Sequence, residues 1–548
     1  MGYRMVLVLT AVASLAGCGG GGGGAEDAAT APDGVADLAA DAGSDGPAAD
    51  GADGLQADAV TADVGGDAGP DLLEPLLPFG PENRGYTLLR GIVHLHSAYS
   101  HDGCAPDGYE DFGGPDPACI GELRAALCAG GIDFAMQTDH PGFSEGNPYL
   151  DVIHYDAAAG DTLAKDEQDR PFANRIQCPE GSPVSRAWFF LGTEGHKNMP
   201  IGVAGPDVPS EVYHGDYGDE EPLDVAQAAV AVVHGLGGYA FAAHTEENNI
   251  SLERIIALPL DGMEIYNLHA NLMGGLEDLD SILSLDRFMS PGATNPDPDL
   301  ALLPLLAEVP EDVEKFEQAG VEIRLAAVAA TDIHRNVEVP ALCPGGVVGS
   351  LCEPLAADYP NFVEFAQVGG PLPLSDGDRM DSYLRGFRWF SNWTLAASDE
   401  AADMRAAIGS GRSFAAFDLF GAPVGFDFFA VADGKAVEMG QEVSGAGQVM
   451  LYLRTPRLGE PAWKKMPGID FAGAILYVKV VRSFDGGVED VLKASGQDQR
   501  FEIFVTGPGM YRVEIAVKPK HLEPALKGVE DFASKKYPYI YSNAVFVR

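Results

Sequence analysis

The chain has 548 residues, 46% of them hydrophobic, and a formal net charge of -47 at pH 7. This length predicts more than one domain, and the hydrophobic content is enough for a sizeable buried core. The 82 acidic residues against 35 basic ones give a surface that repels phosphate backbones. A role in nucleic-acid binding is therefore not expected.

The first 18 residues have the pattern of an export signal. Arg4 precedes a short apolar run, Met5 to Ala13, which is too short to span a bilayer. The sequence Leu-Ala-Gly-Cys ending at Cys18 is similar to a bacterial lipobox, which implies cleavage before Cys18 and acylation of that cysteine. A plain secretory signal is the alternative. Gly19 after the cysteine implies an outer-membrane location, so we expect a lipid-anchored protein of the cell envelope, on its periplasmic or surface face.

Residues 19–75 differ in composition from the rest of the chain. This Ala/Asp/Gly-rich segment carries thirteen acidic residues, and no basic residue lies between Arg4 and Arg84. Such a segment buries too little apolar surface to offset the entropy of ordering it, so it is predicted to be a disordered acidic tether.

The cysteines other than Cys18 are even in number, which favours disulfides in an exported chain. The two local candidates are Cys104 with Cys119 and Cys343 with Cys352. Zinc–thiolate ligation is the alternative, although the chain contains no Cys-x-x-Cys pair.

Eleven of the twelve histidines fall between His94 and His334, and several follow apolar, strand-like runs directly. Helices are predicted near 120–130, 223–236 and 311–319, each before one of these strands. The helix–strand alternation predicts a parallel sheet closed into a barrel, in which side chains at the strand ends converge. Imidazole and carboxylate ligands together suit zinc, manganese or iron. The ends of the runs are His94-Leu-His96, Thr138-Asp139-His140, Thr193-Glu194, Ala243-His244 and Thr331-Asp332-Ile333-His334.

These motifs, in this order over about 250 residues, resemble those of PHP-domain metallohydrolases (the polymerase and histidinol phosphatase superfamily). Asp261 to Asn267 resembles that family's strand after the fourth motif. The opening His94-Leu-His96-Ser97, followed by Ser100-His101-Asp102-Gly103, looks closest to the lipoprotein and carbaryl-hydrolase-like (CehA/McbA) subgroup. The resemblance implies a distorted (β/α)7 barrel over residues 76–395 with two or three divalent metal ions.

The resemblance also implies a ligand set. One ion would be bound by His94, His96, Glu194 and Asp332, and Glu194 would bridge to a second ion that His244 also binds. A third would be bound by a set of residues from three segments: His140, His334 and either His101 or Asp102, with Asp102 favoured. One further histidine is expected between Glu194 and His244, and the candidates are His196, His214 and His234, with His196 favoured.

Close divalent ions lower the pKa of a shared water and stabilise a developing oxyanion, so the predicted activity is hydrolysis by a metal-activated hydroxide. Asp139 and Asp332 are candidates to manage its proton, and Lys197 and Arg335 are candidates to bind an anionic substrate. Small phosphoesters are the expected substrates. The alternatives are carbamates or carboxyl esters, as in the carbaryl-hydrolase type, and a non-catalytic metal-containing surface binding protein.

The pattern changes near residue 395. A glycine-terminated helix over 398–411 precedes six short strand-like runs between residues 424 and 547, separated by turns rich in Gly, Pro and Asp. This spacing predicts an all-β, sandwich-like C-terminal domain over 396–548.

Overall fold

The computed structural model describes residues 83–104, 114–275, 279–290, 295–306, 310–339, 341, 355–445 and 448–548. It is a mixed α/β structure with one large sheet. The export signal, Cys18 and the tether lie outside these residues, as do Cys343 and Cys352. Within the described part, no helix combines the length and apolar character needed to cross a membrane.

The α-helices are α1 Pro117–Ala129, α2 Tyr149–Val152, α3 Ser210–His214, α4 Leu223–Gly235, α5 Leu252–Ala257, α6 Leu268–Gly275, α7 Leu279–Ser284, α8 Asp286–Met289, α9 Pro310–Glu322, α10 Pro360–Val368, α11 Tyr383–Trp389 and α12 Ala401–Gly409. Short 3-10 helices occupy Asn83–Gly85, Ala157–Ala159, Pro298–Leu305, Asp418–Phe420, Phe471–Gly473, Lys520–Ala525 and Glu530–Ser534.

The strands of the N-terminal part are β1 Thr87–Leu95, β2 Phe134–Met136, β3 Thr162–Lys165, β4 Pro171–Gln177, β5 Arg186–Phe190, β6 Asn198–Ile201, β7 Tyr239–Ala242, β8 Gly262–Asn267, β9 Ala326–Ile333, β10 Glu338–Val339, β11 Gly370–Pro371 and β12 Ser391–Ala396. Those that follow are β13 Ser413–Ala416, β14 Ala422–Val424, β15 Asp427–Ala432, β16 Lys435–Glu438, β17 Glu442–Val443, β18 Val449–Arg454, β19 Arg457–Gly459, β20 Ile475–Phe484, β21 Gly487–Ser495, β22 Arg500–Phe504, β23 Gly509–Lys518, β24 Tyr537–Ser542 and β25 Val545–Val547.

Seven strands of the large sheet are linked in a cycle. β1 pairs in parallel with β2 and β9, β2 with β5, and β8 with both β7 and β9. β6 pairs antiparallel with β7, and one antiparallel bridge, Gly192 with Ile201, joins the end of β5 to β6. The sequence predicts a parallel sheet, but β6 runs antiparallel to its neighbours. The link from β5 to β6 is too short for a crossover connection, so the chain must reverse direction there.

The predicted helices lie where expected, as α1, α4 and α9. The start of α1 shows how local sequence sets a boundary. Asp116 accepts hydrogen bonds from the backbone N–H groups of Ala118 and Cys119, and Pro117 occupies the first helical position, where its missing N–H costs nothing. Residues on one face of α1, such as Leu123 and Leu127, are buried against the strands.

Side chains from alternate positions of the strands in the seven-strand cycle form a separate buried cluster, which includes Val93, Phe134, Phe190 and Phe241. Gly91 allows this packing, since a Cβ at that position would lie only 2.0 Å from the ring of Phe134. Large apolar side chains therefore fill the space below the strand ends, which leaves the polar residues concentrated at the ends themselves.

The C-terminal strands lie close to the predicted positions and fall into several sheets. β12, β13, β24, β23 and β20 extend the large sheet from β1 by successive antiparallel pairings. A separate four-stranded sheet has the order β16, β15, β18, β22. Strand pairing thus continues across residue 396, and the assignment of 396–548 to a separate sandwich stays a prediction.

Two disulfides are present in the described residues. Cys104 pairs with Cys119, which confirms one of the two local candidates, and Cys128 pairs with Cys178. The first ties the loop after β1 to helix α1. The second ties the end of α1 to the residue after β4.

Candidate metal centre

Four buried side chains meet at one point above the ends of β1 and β9: His94, His96, Glu194 and Asp332. Glu194 Oε2 lies 3.0 Å from the Nε2 atoms of both histidines, and Asp332 Oδ1 lies 3.2 and 3.3 Å from the same two atoms. The two Nε2 atoms are 3.2 Å apart. We call this set the first ligand group.

These separations fit a metal ion bound by four ligands. Ligands about 2.0 Å from a tetrahedral zinc ion lie about 3.3 Å from one another. Asp332 Oδ1 is buried and makes no well-aligned hydrogen bond within the described structure, although two imidazole nitrogens are within 3.3 Å of it. The donor set and its geometry therefore fit a divalent ion.

Unusual backbone conformations aim these side chains. His94, His244 and Asp332 have φ values of 60°, 48° and 47°, in the left-handed region that non-glycine residues seldom adopt. The pairing of β1 with β9 shifts register between Val93 and Leu95, around His94. Regular pleating is thus not what brings His94 and His96 together. Strained conformations of this kind concentrate at functional sites.

A second ligand group contains His96, Asp102, His140 and His334. Asp102 Oδ2 lies 3.2 Å from Nε2 of His334 and 3.4 Å from Nε2 of His140. The side chain of His101 is exposed and contacts the ring of His140, with ring centroids 4.9 Å apart. Of the two first-loop candidates, the structure brings Asp102 to the group and leaves His101 outside it.

His244 connects the first group to further carboxylates. Its Nε2 lies 2.6 Å from Glu194 Oε1, and its Nδ1 lies 3.1 Å from Glu246 Oε1. Glu194 therefore presents one oxygen to the first group and the other to His244. His244, Glu246 and Glu264 form a third set of side chains with neighbouring ligand atoms.

Charges in the site are strongly coupled. Burial alone would lower the pKa of His94, but Asp332, Glu264 and Glu194 hold that pKa well above its usual value. Burial would likewise raise the pKa of Glu194, yet His94 and His244 hold it well below the ordinary range. The site therefore retains its carboxylates in the charged form that binds cations.

Asp139 lies beside these groups and belongs to none of them within the described structure. Its carboxylate accepts hydrogen bonds from the Ser97 N–H, from the Ser97 hydroxyl at 2.7 Å and from the Gln137 amide. Burial raises the pKa of Asp139 to about 7. The contacts with Ser97 fix the start of the loop that carries Asp102.

The two candidate substrate-binding cations are each paired with a carboxylate. Lys197 Nζ lies 2.7 Å from Glu247 Oε2, and Arg335 Nε donates to Glu122 Oε2 at 2.7 Å. Among the described residues, neither cation forms an ion pair with a side chain of the first or second ligand group.

The three candidates for one further histidine ligand all lie outside the ligand groups. The side chain of His196 is 51% exposed and pairs with Asp216, His214 pairs with Glu145, and His234 pairs with Asp261. The tight turn after Glu194 carries His196 away from the centre, because β6 begins only two residues later and must run antiparallel.

Sequence reasoning missed three polar residues that surround the ligands. Glu264 lies 2.5 Å from Nδ1 of His94, Glu246 contacts His244, and the Asn267 amide donates to Asp332 Oδ2 at 3.2 Å. Glu264 and Asn267 lie three residues apart on β8, within the segment 261–267 that resembles a family strand. That resemblance is the one signal that points to them.

Neither a protein-family model nor a curated protein matches this chain. Among solved structures, a similar one is the crystal structure of a two-domain protein containing a predicted PHP-like metal-dependent phosphoesterase from Bacteroides vulgatus ATCC 8482. The two chains are 12% identical, the match covers 83% of this chain and 96% of that chain, and the TM-score is 0.25.

Proposed function

We propose that this chain is an exported, lipid-anchored, metal-dependent hydrolase of the PHP type that acts on small phosphoesters. The observation that carries the proposal is the first ligand group, in which two imidazole and two carboxylate ligands converge within tetrahedral distances at buried strand ends. We further propose that the seven-strand cycle is the distorted (β/α)7 barrel of that family.

Within this proposal, the first ligand group would hold one ion, His244 and Glu194 would hold a second, and Asp102, His140 and His334 would hold a third. Bound divalent ions would lower the pKa of a coordinated water and polarise the bond under attack. Glu264 and Glu246 accept from the far nitrogens of His94 and His244, which fixes the ring orientation of each ligand. Asp139 holds the first loop in place through Ser97.

Export is proposed from the N-terminal signal pattern and the two disulfides. Disulfides persist in oxidising compartments such as the bacterial periplasm and cell surface. Acylation of Cys18 would anchor the protein to a membrane, with the acidic segment 19–75 as a spacer.

A second candidate substrate class is the carbamate or carboxyl ester. The observation that favours it is the pairing of Lys197 with Glu247 and of Arg335 with Glu122. Cations that are already neutralised offer little attraction to a phosphate dianion, whereas a neutral ester does not need them.

The test is a turnover assay of the full chain, loaded with zinc or manganese, on matched aryl phosphomonoesters, phosphodiesters, carboxyl esters and carbamates. We expect phosphoester turnover that falls more than about 100-fold in Asp332→Asn, because the variant loses a charged ligand. Asparagine tolerates the left-handed backbone of Asp332, so the substitution adds little strain.

Asp433→Asn is the matched control, since Asp433 lies in an exposed turn with a φ of 50°. Turnover of carbamates or carboxyl esters alone would replace the phosphoester proposal with the second candidate. Equal turnover by Asp332→Asn and Asp433→Asn would contradict hydrolysis at this centre.

A further inference from the structure

A cleft of about 170 Å³ lies on the C-terminal extension of the large sheet, across β20, β23 and β24. In the sheet register Tyr477 lies opposite Ala516, and Ala516 lies opposite Pro538. The small Ala516 side chain leaves a recess between larger neighbours, and the pairing of β23 with β24 shifts register beside it. We call this recess the tyrosine–lysine cleft; Tyr477, Lys479, Ala516, Lys536 and Tyr537 line it.

Positive charge gathers at this cleft although acidic residues outnumber basic ones by 82 to 35 in the chain. The ammonium groups of Lys536 and Lys518 lie 5.5 and 5.8 Å from the ring centroid of Tyr477. Lys479, which also lines the cleft, lies opposite Lys493 in the pairing of β20 with β21. Both of these lysines have a carboxylate neighbour, Glu514 for Lys479 and Asp490 for Lys493, so the positive charge left for a ligand is that of Lys518 and Lys536.

The acidic groups nearby are engaged by other cations. Glu514 lines the cleft, but it accepts from Arg512 at 2.5 Å, and Lys479 lies 3.8 Å away. Asp490 pairs with Lys493 at 2.7 Å. Within the described structure, neither Lys518 nor Lys536 forms an ion pair with a carboxylate, so their charge is available beside the Tyr477 ring.

The cleft also contains an unsatisfied donor. Tyr537 is 5% exposed, and its buried hydroxyl makes no hydrogen bond within the described structure. A buried polar group without a partner is destabilising, and such groups are uncommon outside functional positions. A ligand oxygen that uncovers this hydroxyl on entering the cleft would supply the missing acceptor.

We propose that the tyrosine–lysine cleft binds a single acidic sugar residue, such as a uronic acid unit of a polysaccharide. The apolar face of a sugar ring packs on an aromatic ring, and the carboxylate meets the lysine ammonium groups. The cleft is smaller than a typical drug-sized pocket, which fits one ring rather than several. This site is independent of the metal centre, and it gives the C-terminal region a binding role.

The test is isothermal titration calorimetry of the full chain with trigalacturonate as the probe. We expect binding that weakens with added salt and falls about tenfold in Lys518→Gln/Lys536→Gln, because the charges of a half-buried and an exposed lysine are lost. Lys435→Gln, an exposed lysine on β16, is the matched control and should keep the wild-type affinity.

Tyr537→Phe separates binding from folding. Removing a buried hydroxyl that has no partner should raise the melting temperature of the free protein, while its affinity for trigalacturonate falls. Undetectable binding by the wild-type chain would overturn the proposal, and so would unchanged affinity in the double lysine variant. Equal binding of neutral maltotriose would remove the role of charge, and displacement by equimolar phosphate would reduce the cleft to a general anion site.

Discussion

The imidazole of His94 is held at both of its nitrogens. Nε2 faces the first ligand group, and Nδ1 lies 2.5 Å from Glu264 Oε1. A carboxylate in this position fixes the tautomer and raises the basicity of a histidine ligand. We expect Glu264→Gln to weaken metal binding by about 10- to 100-fold, measured by competition with a chromophoric chelator.

Glu253→Gln provides the comparison, because Glu253 is an exposed glutamate on α5. Its metal affinity should equal that of the wild type. An unchanged affinity in Glu264→Gln would show that this carboxylate does not support the ligand.

His154 predicts a pH dependence of stability that is separate from the metal centre. It is buried against Tyr99 and Phe189, neither ring nitrogen has a hydrogen-bond partner in the described structure, and burial lowers its pKa to about 3. Below about pH 6.5 the unfolded chain binds a proton that the folded chain excludes, so the free energy of unfolding falls as pH falls towards 3. We expect this loss in the free energy of unfolding to reach about 2 kcal/mol at pH 5.

Urea unfolding of the full chain and of His154→Asn at pH 7 and pH 5 measures this loss of stability. The variant should lose less stability on acidification, by about the same 2 kcal/mol. Gln227→Ala, at an exposed amide that does not titrate, should retain the wild-type pH dependence. Equal losses in all three proteins would contradict the assignment.

At the scale of single residues, the sequence predicts which residue types meet at the site. It does not predict the backbone conformations that orient their side chains. His94, Asp332 and His334 follow apolar strands, and that pattern is visible in the chain. The left-handed conformations of His94 and Asp332 depend on tertiary contacts and leave no mark in a single sequence. Glu246 and Glu264 look like ordinary acids in a chain that has 82 of them.

At the scale of elements, the loop between β1 and α1 is held by several contacts. The Cys104 N–H donates to the His334 carbonyl, Tyr383 donates to the His96 carbonyl, and the Cys104–Cys119 disulfide lies beside the Tyr383 hydroxyl. Gly103 permits this path, since a Cβ there would lie 2.2 Å from the Ser97 carbonyl oxygen. The disulfide therefore fixes the loop that carries Asp102.

We expect Cys104→Ser/Cys119→Ser to release the Asp102 loop and to lose about one bound ion per chain, with the first ligand group retained. Metal analysis after dialysis measures this. Cys128→Ser/Cys178→Ser removes a disulfide farther along α1 and should keep the full metal content. Equal metal loss in the two variants would indicate general destabilisation rather than control of the loop.

Element types and positions were largely predictable, and strand direction was not. Helices α1, α4 and α9 follow from apolar periodicity, which is a local signal, and α1 also has a capping residue, Asp116. The antiparallel pairing of β6 depends on the length of the link from β5, and the placement of His196 at the surface follows from that turn.

At the scale of the whole molecule, C-terminal residues hold the strand that bears Asp332. The Asn543 amide donates to the Ala327 carbonyl and accepts from the Ala327 N–H, and Asn392 does the same for Ala329. Both asparagines thus form hydrogen bonds with backbone N–H and carbonyl groups of β9, as a neighbouring strand would. Single asparagines give no such signal in a sequence, so this long-range coupling could not be predicted.

This coupling predicts one cooperative unfolding transition for the described body. Asn543→Ala should lower the free energy of unfolding by about 2–4 kcal/mol, because it leaves two buried backbone groups of Ala327 unpaired. Gln227→Ala, at an exposed amide on α4, should cost less than about 0.5 kcal/mol. Far-ultraviolet circular dichroism and tryptophan fluorescence in urea measure both, and two separate transitions in the wild type would contradict the coupling.

The most direct test of the metal centre is the metal content of the full chain after loading and dialysis. We expect two or three divalent ions per wild-type chain, the same number in Asp433→Asn and fewer in Asp332→Asn. A wild-type chain that retains no metal would contradict a metal centre at these residues, and so would Asp332→Asn retaining as much metal as Asp433→Asn.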